Sequence, residues 1–309
     1  MPPRRDRLDA LAFTLMFALC LLWGFNQVLA KTANAGISPI LQAGLRSLGA
    51  TVLVWAWASL RGVRLFGRDG SLAAGIFAGL MFAAEFALIY TGLEYTTASR
   101  AVLFLYTSPF IVAVGVHLLV PGEKLSGLQV VGLVGAFAGV AIAFSGGLAL
   151  PTNHQLLGDA MEIGGAVMWG ATTVLVRASR LAHVAPHKTL LYQLAVSALV
   201  LPPLSWALGE PGVFAPTAPV LAAFTIQTVG VASISYLTWF WLIAHYPAGR
   251  LSSFTFLTPL FGVIAGAVIL SEPISTDLVL GLVLVGIGIF LVNRPAPLPP
   301  LAAEAAKPS

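Results

Sequence analysis

TASRAVLFLYTSPFIVAVGV (residues 97–116) and PAGRLSSFTFLTPLFGVIAG (247–266) are two copies of one segment. Arg100 aligns with Arg250 and Pro109 with Pro259. The match extends downstream: after one residue of slippage Glu123 meets Glu272, Gly132 meets Gly281 and Gly139 meets Gly288. A second pair stands upstream, LLWGFNQVLAK (21–31) and VMWGATTVLVR (167–177), where Trp-Gly, Val-Leu and a terminal cation recur. Matches that keep their order across two separate segments point to an internal duplication.

Composition identifies the solvent of this duplicated chain. Of 309 residues, 58% are hydrophobic and 9% charged, and the mean hydropathy is +0.91. Soluble domains carry about 25% charged residues. The apolar runs are about 20 residues long, enough for a helix to cross the hydrocarbon core of a bilayer. Ten spans are expected, at roughly 10–30, 39–60, 71–93, 98–119, 127–147, 157–178, 187–208, 217–243, 250–270 and 276–293. The breaks between them carry turn or charge signals, such as KTANAGISP, RGVRLFGRDG and GEPGVFAPTAP. The chain therefore reads as an all-α integral membrane protein. PPRRDRLDALAFTLMFALCLLWG at the start continues through Trp23 and Phe25 without a cleavage site, so it reads as a retained first span rather than a signal peptide.

Orientation is set by Lys and Arg, which concentrate on the cytoplasmic side. With the N-terminus inside, that side holds Arg4, Arg5, Arg7, Arg61, Arg64, Arg68, Lys124, Arg177, Arg180, Lys188, Arg250, Arg294 and Lys307. The other side holds Lys31 and Arg100, and Arg46 falls within a span. Both termini are expected to be cytoplasmic. Each copy contains five spans, an odd number, so the two copies enter the membrane with opposite topology. The expected layout is a cytoplasmic N-terminus (1–9), a first five-helix repeat (10–147), an external linker (148–156), a second repeat (157–293) and a disordered Pro/Ala-rich cytoplasmic tail (294–309). Inverted repeats are typical of secondary transporters, which rock one half against the other around a midplane site.

Other classes lack their signatures. There is no H-E-x-x-H, no G-x-S-x-G and no metal-ligand spacing, so neither an enzyme nor a bound cofactor or metal is expected. The single cysteine, Cys20, excludes an intrachain disulfide. The pI of 9.5 reflects cationic membrane flanks, not nucleic-acid binding.

The paired Trp-Gly, LIYTGLEYTTASRAVLFLYTSPF running to PGEKLSGLQVVGLVGAFAGV, and FLTPLFGVIAGAVILSEPISTDLVLGLVLVGIGIFLV resemble the two copies of the EamA repeat. This is the repeat of the ten-helix drug/metabolite transporter superfamily, and the resemblance covers about residues 10–293. Within it, the chain is most similar to YddG-type aromatic amino-acid exporters. The resemblance implies that spans 1, 3, 4, 6, 8 and 9 surround a central cavity, with 2, 5, 7 and 10 outside. It also implies efflux of a small-molecule substrate across the inner (cytoplasmic) membrane.

Candidate site residues are the polar and aromatic groups on those spans. Glu85 sits inside an apolar run, where an ionised group at the bilayer centre costs roughly 2.5–3.5 kcal/mol on insertion scales. It either faces a cavity, to bind an ammonium group or carry a proton, or pairs with Arg46 at similar depth. Phe82, Tyr90, Phe104, Tyr106, Trp169, Tyr236 and Trp239 could stack on a flat substrate or grip a cation; the competing reading is packing. Asn26 and Gln227 could orient a substrate, and so could Thr172 and Thr173, or all four could serve interhelical hydrogen bonds. Pro109 and Pro259 free the carbonyls of Leu105 and Thr255 and are candidate hinges. Arg100 and Arg250 begin spans, where they would meet lipid phosphate or alternate as gate contacts.

The function expected is export of small amphipathic metabolites, foremost aromatic and other neutral amino acids, by alternating access. The alternative is a multidrug or cationic-compound exporter working by proton antiport. The sequence leaves uniport, proton antiport and exchange open.

Overall fold

In a computed structural model, residues 5, 7–62, 67, 69–96, 98–147, 150–270 and 276–294 are described. The expectations for Arg4, Arg64, Arg68, Glu272, Lys307, the linker residues 148 and 149, the tail from 295 onward and the side chain of Lys31 lie outside the described residues. The first half contains α1 (Ala10–Asn34), α2 (Pro39–Leu60), α3 (Leu72–Tyr95), α4 (Ala98–Leu105), α5 (Ser108–Leu119) and α6 (Gly127–Ala143). The second contains α7 (Asn153–Ala178), α8 (Pro186–Ala207), α9 (Ala218–Ile226), α10 (Tyr236–His245), α11 (Ala248–Ser253), α12 (Leu257–Leu270) and α13 (Thr276–Asn293). A π-helical segment, Gln227–Ser235, joins α9 to α10, and a 3-10 turn, Phe254–Phe256, joins α11 to α12.

Among the described residues, six stretches are long and apolar enough to cross a membrane: Ala10–Asn34, Leu72–Leu93, Arg100–Leu119, Pro186–Ala207, Ala218–His245 and Thr276–Asn293. Gly127–Ala143 is a shorter apolar helix. α7 is less apolar because it carries Asp159, Glu162 and Arg177, all buried. The helix starts are chemically marked. Ser126 with Gln129 and Thr152 with Gln155 form capping boxes. The Glu210 carboxylate accepts the N–H groups of Ile40 and Leu41, both at 3.1 Å, at the positive end of α2.

Three runs expected as single spans are interrupted. The run 98–119 breaks at Tyr106 and Thr107, the run 217–243 passes through the π segment, and 250–270 passes through the 3-10 turn. Two of these breaks precede the repeated prolines. Pro109 cannot donate to the carbonyl four residues back, nor can Pro259. Nearby hydroxyls take over part of the local bonding: Thr107 Oγ1 donates to Phe104 O at 2.7 Å and Thr255 Oγ1 to Ser252 O at 2.7 Å.

The two copies pack with exchanged contacts. α6 lies along α13, and a Cβ on Gly132 would come 2.7 Å from Gly288 O, while one on Gly139 would come 2.7 Å from Gly281 O. Gly132 thus meets the repeat counterpart of Gly139, and Gly139 meets that of Gly132. This crossing is what a two-fold axis between antiparallel equivalents produces. The Trp-Gly motifs obey the same rule. A Cβ on Gly24 would sit 2.8 Å from Thr258 O, and one on Gly170 would sit 3.2 Å from Ser108 O. Each Trp-Gly glycine lets its helix approach the proline-interrupted segment of the other half.

Candidate functional site

α3 places Phe82, Glu85, Phe86, Ile89 and Tyr90 on one face, at spacings of three and four residues. That face forms one wall of a cavity of about 150 Å³ between the halves. α1 contributes Trp23, Asn26 and Ala30, and α7 contributes Trp169, Thr172 and Thr173. Tyr236, Trp239 and Phe240 of α10 close another side, with Tyr106 and Thr258 from the two interrupted segments. The cavity runs from the middle of these helices toward the end where α1 and α3 finish, at Ala30 and Leu93.

The walls are aromatic and interlocked edge to face. Trp23 lies 5.7 Å from Trp239, Phe82 5.9 Å from Tyr236, and Tyr106 5.9 Å from Trp169, ring centre to ring centre. Such pairs fix ring orientation beyond what area burial alone supplies. Trp23 Nε1 donates to Ser235 Oγ at 2.9 Å, which holds the indole against the end of the π segment. A cavity of this volume holds one benzene-sized ring. Glu85 is the one acidic residue among the lining residues and is 8% exposed.

Of the residues singled out from sequence, Glu85, Phe82, Tyr90, Tyr106, Trp169, Trp239, Tyr236 and Asn26 come together around this cavity. Phe104 does not. It lies under the Arg100 guanidinium, 5.6 Å from ring centre to Cζ. Gln227 does not either; it is fully buried where the π segment begins. Pro109 lies in the first turn of α5, and Pro259 near the start of α12. Trp23 and Gln193 were not singled out but line the cavity. Trp23 was legible, since it is the repeat counterpart of Trp169. Gln193 lies on α8, the seventh span, which the family resemblance sets outside the cavity.

Arg46 stands directly behind the wall. It is 1% exposed, with its guanidinium 4.5 Å from the ring centre of Phe86 and 6.0 Å from that of Tyr236. Glu85 is within coulombic reach, but the two form no hydrogen-bonded ion pair among the described residues. Glu85 therefore faces the cavity and has a cation at its back.

Two buried ion pairs join the halves at opposite ends of the bundle. Arg100 grips Asp159 through Nε and Nη2, with Thr96 Oγ1 donating to the same carboxylate at 2.6 Å. Arg100 is thus a protein–protein contact rather than a lipid-phosphate ligand. At the end where α1 begins, Arg177 pairs with Glu123, whose second oxygen accepts Ala248 N–H at 2.9 Å. Tyr246, fully buried, adds a further layer there, donating to Asp9 at 2.9 Å and accepting from Arg5 at 3.1 Å. Asp159 was missed in the sequence, although an acid near the start of a span in a chain with only 12 acids is a signal.

The model of the EamA-like transporter family matches residues 10–145 and again 156–294. The chain belongs to the EamA-like transporter family. The doubled match puts one EamA unit on each side of the cavity. This EamA transporter is 28% identical over 281 residues to the uncharacterized transporter YvbV of Bacillus subtilis, covering 90% of each chain. It is 22% identical over 294 residues to a probable amino-acid metabolite efflux pump of Escherichia coli, covering 90% of this chain and 93% of that one. A solved crystal structure shares its fold, with a TM-score of 0.79 at 23% identity over 91% of this chain and 97% of the other. The family and these relatives are transporters, not enzymes.

Proposed function

We propose that this EamA protein exports small amphipathic metabolites, foremost aromatic and other neutral amino acids as YddG-type exporters do, across the inner membrane. It works by alternating access between two inverted five-helix halves, with ten membrane spans and both termini in the cytoplasm. One observation carries the reading: an aromatic-walled cavity with a single carboxylate, Glu85, at the seam between the two copies. The rings suit a flat or apolar side chain, and Glu85 suits an ammonium group. The exchanged glycine contacts support inversion, because they relate the halves by a two-fold axis. The E. coli relative's name supports the substrate class.

A second reading keeps the same cavity but takes organic cations in exchange for protons at Glu85. It is favoured by the acid standing among aromatic rings, which attract cations. Flux in proteoliposomes separates the two. Labelled neutral amino acids and one organic cation are compared, with and without a pH gradient, for wild type and Glu85→Gln. Saturable amino-acid flux that falls in the variant while the protein stays folded is the expected result. Flux of the cation alone establishes the second reading instead. A dependence on the pH gradient identifies the proton as the coupling ion.

A further inference from the structure

Arg46 is a buried charge with no ion pair to hold it among the described residues. Its Nε, Nη1 and Nη2 make no hydrogen bond of good geometry there, and the nearest acceptor is the neutral Tyr236 hydroxyl, a weak partner for a full charge. Removing a guanidinium from water without pairing it costs several kcal/mol, and native proteins seldom leave such a group unsatisfied without a reason. The neighbouring rings of Phe86 and Tyr236 return only part of that. Its polar neighbours are Glu85, Tyr90 and Tyr236, and all three line the cavity.

The duplication gives an independent indication. α2 and α8 open on equivalent prolines, Pro39 and Pro186, and in that register Arg46 corresponds to Gln193. Gln193 lines the cavity, and its Nε2 has no partner among the described residues. The same repeat position therefore presents an uncommitted donor to the cavity from one half and, one ring deeper, from the other. The rings of Phe86 and Tyr236 both lie against the Arg46 guanidinium and both line the cavity, and Tyr236 is the first residue after the π segment that packs on α2. π-helical insertions are concentrated at functional sites. Converting this one to α-helix would rotate Tyr236 about the axis of α10.

We propose that Arg46 binds the carboxylate of a zwitterionic amino acid whose ammonium is held by Glu85, with Tyr236 turning aside to admit it. This rests on the reading of the cavity as an amino-acid site and names the partner that reading lacked. Arginine presents a planar fork that matches a carboxylate with two parallel bonds. Charge balance gives the selectivity. Arg46 and Glu85 together are neutral, so a zwitterion leaves every charge paired. An amine without a carboxylate leaves the site with an uncompensated cation in a poorly solvated cavity.

The test is equilibrium binding to the purified full-length protein in nanodiscs. Three ligands share one side chain: phenylalanine, phenylethylamine, which lacks the carboxylate, and phenylalanine amide, in which it is neutralised. Wild type should bind phenylalanine at least 10-fold tighter than either analogue. Arg46→Gln should weaken phenylalanine by about 100-fold, the order expected when one partner of a buried charge pair is removed. It should not weaken phenylethylamine and should tighten it, because Glu85 and the amine are then together neutral. Equal affinity of wild type for phenylalanine and its amide overturns the proposal, and so does an equal loss of both ligands in Arg46→Gln. The wild-type series needs no variant and decides the matter if Arg46→Gln does not fold. Binding of phenylethylamine but of no neutral amino acid overturns the amino-acid reading itself. Binding of phenylalanine and its amide alike overturns only the role of Arg46.

Discussion

Arg100 and Arg46 are both buried arginines in helices, 7% and 1% exposed, and they are treated in opposite ways. Arg100 is locked to Asp159 through two nitrogens, with Thr96 on the same carboxylate. Arg46 has rings around it and no carboxylate bonded to it among the described residues. The fold uses one buried arginine to join its halves and keeps the other uncommitted beside the cavity. The difference separates a charge that belongs to the structure from one that waits for a ligand.

The largest expected effect comes from breaking the committed pair. Asp159→Ala leaves Arg100 buried beside an empty space and should lower unfolding free energy by roughly 3–5 kcal/mol, read from detergent unfolding curves. Replacing both partners, Arg100→Met with Asp159→Leu, should restore most of that loss, because buried pairs are often no better than packed apolar residues. A double variant as unstable as the single one would show that the pair contributes more than its own neutralisation.

Arg46→Met should behave in the opposite way. It removes an unpaired charge and keeps a long flexible side chain, so the melting temperature should not fall, while transport of neutral amino acids should. A drop in stability as large as that of Asp159→Ala would erase the contrast between the two arginines.

The smallest effect belongs to the pair Lys188–Asp69, at 2.7 Å, whose carboxylate is open to solvent. Lys188 and the Ser71 hydroxyl and N–H hold the Asp69 carboxyl well below the usual carboxylate range. Its contribution to stability is therefore fully present above the unfolded pKa of about 3.9 and lost only as pH falls below it. Asp69→Asn should leave melting unchanged in high salt and flatten the acid limb slightly in low salt. An effect of Asp69→Asn that grows above pH 6 would contradict this sign.

The sequence made some of this plain and hid the rest for physical reasons. Glu85 and Trp169 were legible because a charge or a paired Trp-Gly stands out against an apolar run. The chain's duplication was legible because Pro109 and Pro259 keep their spacing from Arg100 and Arg250. Phe104 was misplaced because helix membership does not say which face a residue takes: its neighbours Leu105 and Tyr106 line the cavity, while Phe104 lies against Arg100. The roles of Arg46 and Asp159 were not legible. Pairing depends on which helices touch, and the exchange of contacts between copies is invisible along the chain. The π segment was unreadable too, since no residue in QTVGVASIS breaks the helical pattern.

Alternating access around the cavity is tested most directly by labelling Thr173, a lining residue, as Thr173→Cys in a Cys20→Ser background. A membrane-impermeant thiol reagent is applied to vesicles of each orientation, with and without phenylalanine. Labelling from both faces, slowed by phenylalanine on each, is the predicted result. Labelling from one face only, with phenylalanine making no difference, would contradict a central site shared by two alternating openings.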